Sequence, residues 1–164
     1  MTTVCVDGAN MSLAKGSGIA VYGRNLLQAL NELGYDTQVL FGPAAPRHPT
    51  DFMNEVAITD AARTQVKRGT RRALSTLTAR FGVTAYPVVP SGLVQWPDRG
   101  PLKPASDSFW SSRDLYNLSV RAFRHYRSMV PVRFDPEASG VDAPDICHWT
   151  APLPMRGRRA ANVY

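Results

Sequence analysis

The stretch that decides the fold is residues 4–41, which read VCVDGANMSLAKGSGIAVYGRNLLQALNELGYDTQVLF. A short apolar run at residues 4–6 ends at Asp7-Gly8, a pair typical of turns, and predicts a first strand. Apolar residues then recur at steps of three and four, which predicts a helix with a buried face made of Ile19, Tyr22, Leu26, Leu30 and Leu33. Gly34 suits the end of that helix, and the apolar run at residues 39–41 predicts a second strand. The stretch therefore predicts a β-α-β unit, and its uninterrupted apolar strands predict a parallel sheet covered on both faces.

The segment directly before the predicted helix is Lys15-Gly16-Ser17-Gly18. Backbone N–H groups, the positive end of the helix dipole and a lysine converge there, which suits an anion such as phosphate. The pattern is not the dinucleotide fingerprint, because Val21 stands where the third glycine belongs and no acidic residue follows the second strand. Two interpretations stay open: a flexible turn and an anion site.

The composition is that of one ordinary globular domain of 164 residues. No apolar run is long enough to span a membrane, and no secretory signal is visible at the N-terminus. The two cysteines, Cys5 and Cys147, fall in predicted strands and are expected to be small buried hydrophobic residues. We therefore expect a cytoplasmic protein without a disulfide framework.

The positive charge is concentrated in one segment. The net charge is +6, and residues 61–97 contain no acidic residue and six basic ones, Arg63, Lys67, Arg68, Arg71, Arg72 and Arg80. A helix from residue 59 or 60 to about residue 80 is predicted, with one apolar side (Val66, Ala73, Leu74, Leu77 and Phe81) and one basic side. Either it is a surface helix with a solvated polar face, or it lies on anionic lipid or faces a phosphate-bearing acceptor.

The middle of the chain predicts a third strand, a long loop and another helix. The strand covers residues 84–89, and Pro87 indicates a sheet edge or an irregularity. The loop covers residues 90–109; Trp96 and Trp110 flank it, either as a stacking surface for a sugar or lipid or as anchors that pack it down. The helix begins at a Ser111–Asp114 capping box and ends at Pro131, with a buried face of Leu115, Leu118, Ala122, Tyr126 and Met129.

The last part of the chain predicts two more strands. Residues 134–143 form a polar connection, residues 145–148 a fourth strand, and residues 160–164 the first half of a further strand. His148 and Trp149 come at the C-terminal end of a predicted parallel strand, which is where ligands bind in open α/β sheets. A structural hydrogen bond is the competing interpretation for His148. No cluster has the spacing of metal ligands, and no Gly-x-Ser-x-Gly elbow is present.

Two patches of this sequence resemble the family 4 (group 1) glycosyltransferases. The first comprises Gly16-Ser17-Gly18-Ile19, Tyr22, Arg24, Asn25-Leu26-Leu27, Ala29-Leu30 and Gly34-Tyr35. The second comprises Asp145-Ile146-Cys147-His148, the proline-containing loop at residues 149–154, and Ala161-Asn162-Val163-Tyr164. They cover about a third of the chain, in the order and at the spacing that the family shows.

The resemblance implies an α/β, Rossmann-like three-layer domain with a mainly parallel sheet, which is half of a GT-B fold. It implies that residues 1–164 are the N-terminal, acceptor-side domain, truncated at the C-terminal end and lacking the donor-binding domain. The whole protein would be a retaining glycosyltransferase of the hexosyltransferase type. It would move sugar from a nucleotide-sugar donor to a glycan or lipid-linked acceptor. This chain alone is expected to be inactive and to hold no cofactor or metal.

The resemblance and the charge pattern together give the expected site and partners. Donor or acceptor would be contacted by Lys15, Gly16, Ser17, Gly18, His148 and Trp149. An acceptor or membrane surface would be formed by Lys67, Arg68, Arg71, Arg72 and Trp96. The protein would then be cytoplasmic, with peripheral contact to the inner face of an anionic membrane as an open option. The alternative is a non-catalytic α/β binding module for a nucleotide, a nucleic acid or an anionic membrane surface; nucleic acid is less favoured because aromatic residues do not interleave the arginines.

Overall fold

The structure is a computed structural model. It describes residues 1–11, 18–42, 53, 55–56, 70–88, 90–91, 93, 108–136 and 141–164. Several sequence predictions fall outside these residues: the segment before the first helix, most of the basic segment before residue 70, and most of the loop that contains Trp96. In the described part, no helix has the length and apolar character needed to cross a bilayer.

Eight strands and three helices make up most of the regular structure of the described residues, and residues 53, 55 and 56 are also helical. The strands are β1 (Thr3–Asp7), β2 (Asp36–Phe41), β3 (Val83–Val88), β4 (Ser108–Ser111), β5 (Val130–Phe134), β6 (Ile146–His148), β7 (Met155–Gly157) and β8 (Ala161–Val163). The helices are α1 (Gly18–Glu32), α2 (Thr70–Ala79) and α3 (Leu115–Tyr126).

The strands form one mixed, mostly parallel sheet in the order β7-β5-β3-β4-β2-β1-β6-β8. Among its described pairings only β3–β4 is antiparallel, so β3, β5 and β7 run in one direction and the other five strands in the opposite one. The first half of β3 pairs with β5 and its second half, which contains Pro87, with β4. The prediction of an irregularity at Pro87 agrees with this change of partner, because proline cannot donate to a second neighbouring strand. The α/β class and the mainly parallel sheet are confirmed.

Alternating side chains of the central strands divide the core into two clusters. On one face Val6, Val39, Phe41 and Phe109 pack with Leu27 of α1. On the other face Cys5, Leu40, Trp110 and Cys147 belong to a larger cluster with β5, β7 and the buried sides of α2 and α3. Because successive strand residues point to opposite faces, the apolar runs at residues 4–6 and 39–41 are buried on both sides, as the sequence predicts.

The sheet curls so that β7, at one end of the strand order, lies against β6 near the other end. A Cβ atom placed on Gly157 would lie 2.4 Å from the Cys147 sulfur, which shows how closely the two strands approach. The Asn162 side chain joins the same region: its oxygen accepts from the Gly157 N–H at 2.7 Å and from the Trp149 indole at 3.0 Å. The end of the described chain is thereby bonded into the fold.

The predicted buried faces of two helices are largely wrong. In α1 the buried residues are Ala20, Gly23 and Leu27, whereas Ile19, Tyr22 and, after the helix, Leu33 are 41%, 49% and 74% exposed; the predicted Leu26 and Leu30 are partly buried. In α2 and the turn after it, the predicted apolar residues from Ala73 onward are exposed, and the buried residues are Thr76 and Ala79. Of the second predicted helix only residues 70–79 are described and helical, and periodicity alone does not reveal which stripe of a helix meets the sheet. Small residues allow α1 to lie close to the strands.

Three strands were not predicted. Residues 108–111 form β4 within the expected loop, residues 130–134 form β5, and residues 155–157 form β7. Consequently Pro131 does not end α3, which stops at Tyr126 with Arg127 in a left-handed conformation. The Ser111–Asp114 capping box is also wrong, because Ser111 belongs to β4 and no side chain caps the helix. In α3 the predicted face is right for Leu115, Leu118 and Ala122, while Tyr126 and Met129 are partly exposed.

Candidate functional site

The candidate site lies at the edge of the sheet where β1, β2, β4 and β6 end. These strands are parallel, so their C-terminal residues meet at one edge. Helix α1 follows β1 and returns to β2, and its first turn therefore lies at the same edge. Ligands of open α/β sheets bind outside such strand ends. We call this region the sheet-edge site and define it by Asp7, Gly18, Tyr22, His148 and Thr150.

Tyr22 and His148 form the exposed part of the site. The Tyr22 hydroxyl lies 3.3 Å from His148 Nε2, although the two residues are 126 positions apart in the chain. Their ring centroids are 6.1 Å apart, with the planes tilted by 45°. His148 is half-buried at the end of β6, and Tyr22 is at the start of the second turn of α1. Together they present a hydroxyl, an imidazole and two ring faces to solvent.

Asp7 supplies a buried carboxylate at the end of β1. One of its oxygens accepts hydrogen bonds from the main-chain N–H of Thr150 and, at 2.9 Å, from the Thr150 hydroxyl. The other accepts from the Ala9 N–H at 3.3 Å. Burial raises the pKa of Asp7 above its ordinary value, and the hydrogen bonds from Thr150 and Ala9 oppose that rise. The carboxylate joins the end of β1 to the loop that follows His148.

Tyr116 fastens the same edge from the side of α3. Its hydroxyl donates to the Leu40 carbonyl and accepts from the Gly8 N–H at 3.1 Å. Burial raises the pKa of Tyr116 well above its usual range, and the nearby charge of Asp7 raises it further. The phenol therefore stays neutral and keeps the ends of β1 and β2 in register, which makes it a positioning residue.

The glycines at this edge have different roles. A Cβ at Gly8 would lie 2.8 Å from the Phe41 ring, and one at Gly42 would lie 2.8 Å from the Leu115 Cβ. These two positions need glycine because side chains pack against them. By contrast, a Cβ at Gly18 would have no atom of the described residues within 4 Å, so packing among those residues does not require glycine there.

The structure brings only some of the sequence-predicted site residues together. Gly18 and His148 lie at the sheet edge as expected. Trp149 does not present a binding surface: it is 3% exposed and belongs to the core, with its indole nitrogen bonded to Asn162. Lys15, Gly16 and Ser17 lie outside the described residues.

The predicted acceptor or membrane residues are only partly described. Lys67, Arg68 and Trp96 lie outside the described residues, as does the side chain of Arg71, while Arg72 is exposed on α2. Trp110 is fully buried in β4 and donates to Gln38 at 2.7 Å, so the stacking interpretation for this tryptophan is wrong.

Two residues of the site and the neighbouring Tyr116 were missed by sequence reasoning in their present roles. Tyr22 was predicted to be buried, Asp7 was treated only as a turn signal, and Tyr116 was not singled out. Helical periodicity placed Tyr22 correctly on α1 but gave no information about the histidine opposite. In the described part of the chain, no three His, Cys, Asp or Glu side chains are grouped so that they could hold a metal ion.

Comparison with known proteins gives no relative to set beside this geometry. No protein-family model matches the chain, and no curated protein or solved structure matches it.

Proposed function

We propose that this chain is the acceptor-side, Rossmann-like domain of a GT-B glycosyltransferase and that the sheet-edge site holds the sugar acceptor. The observation that carries the proposal is the 3.3 Å approach of Tyr22 to His148. Each residue belongs to one of the two patches that carry the resemblance, and they are brought together at the edge where α/β sheets bind ligands.

The chemistry of the pair suits a sugar. Tyrosine and histidine offer hydrogen bonds to hydroxyl groups and flat ring faces for the apolar side of a pyranose ring. His148 can accept a hydrogen bond from an acceptor hydroxyl at a ring nitrogen. Asp7 and Tyr116 are too buried to contact the acceptor, and they position the strand ends on which the pair stands.

The resemblance implies that the acceptor and the donor are bound by different domains. Acceptor recognition would come from this domain, whereas the nucleotide-sugar and its diphosphate would be held by a second domain with its own basic groups. In this account the chain alone binds acceptor sugars and transfers none. Turnover by the isolated chain with a nucleotide-sugar and a glycan would contradict that division.

Saturation-transfer NMR tests the acceptor site directly. The probes are methyl glycosides of glucose, galactose, mannose and N-acetylglucosamine. We expect at least one to receive saturation from the protein and the Tyr22→Ala/His148→Ala variant to lose most of that signal. Tyr35→Phe, a partly exposed tyrosine after α1, is the matched control and should behave as the unmodified chain. A double variant that binds the same glycosides equally well would refute the assignment.

The competing function is a non-catalytic α/β binding module. For its membrane-binding form the structure offers a specific observation, the exposed apolar residues of α2. Because that surface is distinct from the sheet-edge site, it is compatible with either function.

A further inference from the structure

Helix α2 and the turn after it expose three large apolar side chains. Leu74 is 61% exposed, Leu77 41% and Phe81 70%, and we call these three residues the α2 stripe. They lie on the side opposite the buried Thr76 and Ala79. The apolar stripe of a surface helix normally faces the core, and apolar groups clustered in water mark interaction sites.

The surroundings of the stripe are basic and contain no carboxylate in the adjoining sequence. No acidic residue occurs in residues 70–97 or in residues 115–134. Helix α3 packs against α2, and the two helices and the turns after them expose Arg72, Arg80, Arg124 and Arg127. Packed helices lie about 8–10 Å apart, which is close to one Debye length in physiological salt. The charged side chains of α2, α3 and the turns after them are all positive.

Aromatic residues on these helices already hold arginines. The Arg80 guanidinium lies 4.6 Å from the centroid of the Phe81 ring, and the Arg127 guanidinium lies 6.0 Å from that of Phe123. In each pair a cation lies next to an apolar ring. A bilayer surface offers a matching arrangement, because its anionic phosphates lie next to the apolar acyl chains.

We propose that the α2 stripe and its flanking arginines dock on the surface of an anionic lipid bilayer. Leu74, Leu77 and Phe81 would enter the boundary between headgroups and acyl chains, while Arg80, whose guanidinium lies over the Phe81 ring, contacts headgroup phosphates. The stripe shares no residue with the sheet-edge site, so this inference goes beyond sugar transfer and fails or holds separately from it.

Two other occupants explain the surface less well. A nucleic acid would use the arginines, but exposed aliphatic leucines add nothing to phosphate binding or base stacking. A second copy of the chain would bring two positively charged faces together, which repel each other. Only a bilayer surface uses both the apolar stripe and the cations.

Vesicle co-sedimentation of the chain tests the proposal. The probes are vesicles of phosphatidylcholine alone and of an equimolar mixture of phosphatidylcholine and phosphatidylglycerol. We expect binding to be about tenfold tighter on the anionic vesicles and to weaken as salt is added. Equal binding to both vesicles, or binding to neither, would overturn the proposal.

Variants separate the apolar and the charged contributions. Leu74→Ser/Phe81→Ser should weaken binding to anionic vesicles about tenfold, since two inserted side chains are lost. Leu33→Ser, at a leucine 74% exposed after α1, is the matched control. Arg80→Glu/Arg124→Glu should weaken binding at least about tenfold. The control Arg156→Glu/Arg158→Glu makes the same charge change at exposed positions near β7.

Each variant replaces exposed side chains, and circular dichroism confirms folding before binding is measured. The single changes Leu74→Ser and Phe81→Ser, made separately, keep the test informative if the double variant misfolds. A double-serine variant that binds vesicles as the unmodified chain does would overturn the proposal. So would binding to duplex DNA that is tighter than binding to anionic vesicles and insensitive to the serine changes, which would indicate a nucleic-acid partner.

Discussion

Asp7 is the residue at which burial and charge oppose each other most directly. Asp7 is 1% exposed, and among the described residues its carboxylate accepts hydrogen bonds from Thr150 and Ala9 and from no cation. Burial raises its pKa from the ordinary value of 3.8. Because the folded state then binds the proton more tightly than the unfolded state, the contribution of Asp7 to stability falls as pH rises from about 4 through the raised pKa.

Replacing Asp7 by asparagine should remove this pH dependence. The free energy of unfolding of Asp7→Asn, relative to the unmodified chain, is expected to improve steadily from about pH 4 upward, because no charge remains to be buried. Urea denaturation at a series of pH values measures the difference. Asp142→Asn, at an exposed carboxylate, is the control and should show no comparable trend. Parallel curves for Asp7→Asn and the unmodified chain would contradict the argument.

Two glycines of the sheet edge should respond differently to alanine. Gly8→Ala places a Cβ 2.8 Å from the Phe41 ring and should cost about 1–3 kcal/mol of unfolding free energy through overpacking. Gly18→Ala meets no atom within 4 Å and should change stability by less than about 1 kcal/mol. Urea unfolding of both variants measures this contrast. Equal effects would show that the Gly8 approach is looser than described.

At the scale of elements, local patterns predicted the helices better than their orientation. The apolar spacing of residues 19–33 gave α1 nearly to its ends, but the stripe of larger residues was taken as the buried face. The close approach of α1 to the sheet selects Ala20, Gly23 and Leu27 instead. Contact with a sheet depends on the distance between layers, which a single helix does not encode.

A leucine comparison measures which face of α1 supports the fold. Leu27 is fully buried between α1 and the sheet, so Leu27→Ala should cost about 2–5 kcal/mol. Leu33→Ala, at the exposed leucine after the same helix, should cost less than about 1 kcal/mol. Thermal or urea denaturation separates them. The opposite order would restore the face expected from periodicity.

The strands that sequence reasoning missed depend on distant partners. Trp110 of β4 is stable inside the sheet because Gln38 of β2 accepts its indole hydrogen at 2.7 Å. Pro131 is accommodated in β5, where its pairing with Arg156 of β7 holds the strand in place. In both cases the stabilising contact comes from a residue distant in the sequence, and no local sequence pattern predicts the strand.

At the scale of the whole molecule, the curl of the sheet brings β7 onto β6. This contact leaves no room for a side chain at Gly157, whose Cβ would lie 2.4 Å from the Cys147 sulfur. The buried position also raises the pKa of Cys147 to about 12, so its thiol stays protonated and behaves as a small apolar group. The curl is therefore testable by changing the volume at two positions.

A double-mutant cycle tests the curl. Gly157→Ala should cost about 1–3 kcal/mol by overpacking, and Cys147→Ala should recover part of that loss by removing the sulfur. A favourable coupling energy of at least about 0.5 kcal/mol is expected for residues in direct contact. Strictly additive effects would indicate that β7 and β6 do not meet in solution.

From the sequence we could expect the general region of the site but not the side-chain contacts within it. The expectation that ligands bind at the C-terminal ends of parallel strands pointed to His148, which does lie at the end of β6, whereas Gly18 was suggested by the glycine pair before the helix; that either residue contacts a ligand stays a prediction. The same expectation included Trp149, which directly follows β6. Its side chain packs into the core instead, because successive residues of an extended chain point to opposite sides. The meeting of Tyr22 with His148 depends on how α1 crosses the sheet, which is a property of the assembled fold.

Chemical-shift mapping of an isotope-labelled sample tests the central claim most directly. The probe is the methyl glycoside that gives the strongest saturation transfer, added stepwise to the chain. The account predicts saturable shifts at the backbone amides of Gly8, Gly18, Tyr22, His148 and Thr150, with little change on α2 or β7. Shifts confined to α2 and α3, or no saturable shift at any glycoside concentration, would contradict the assignment of the sheet edge as a sugar-acceptor site.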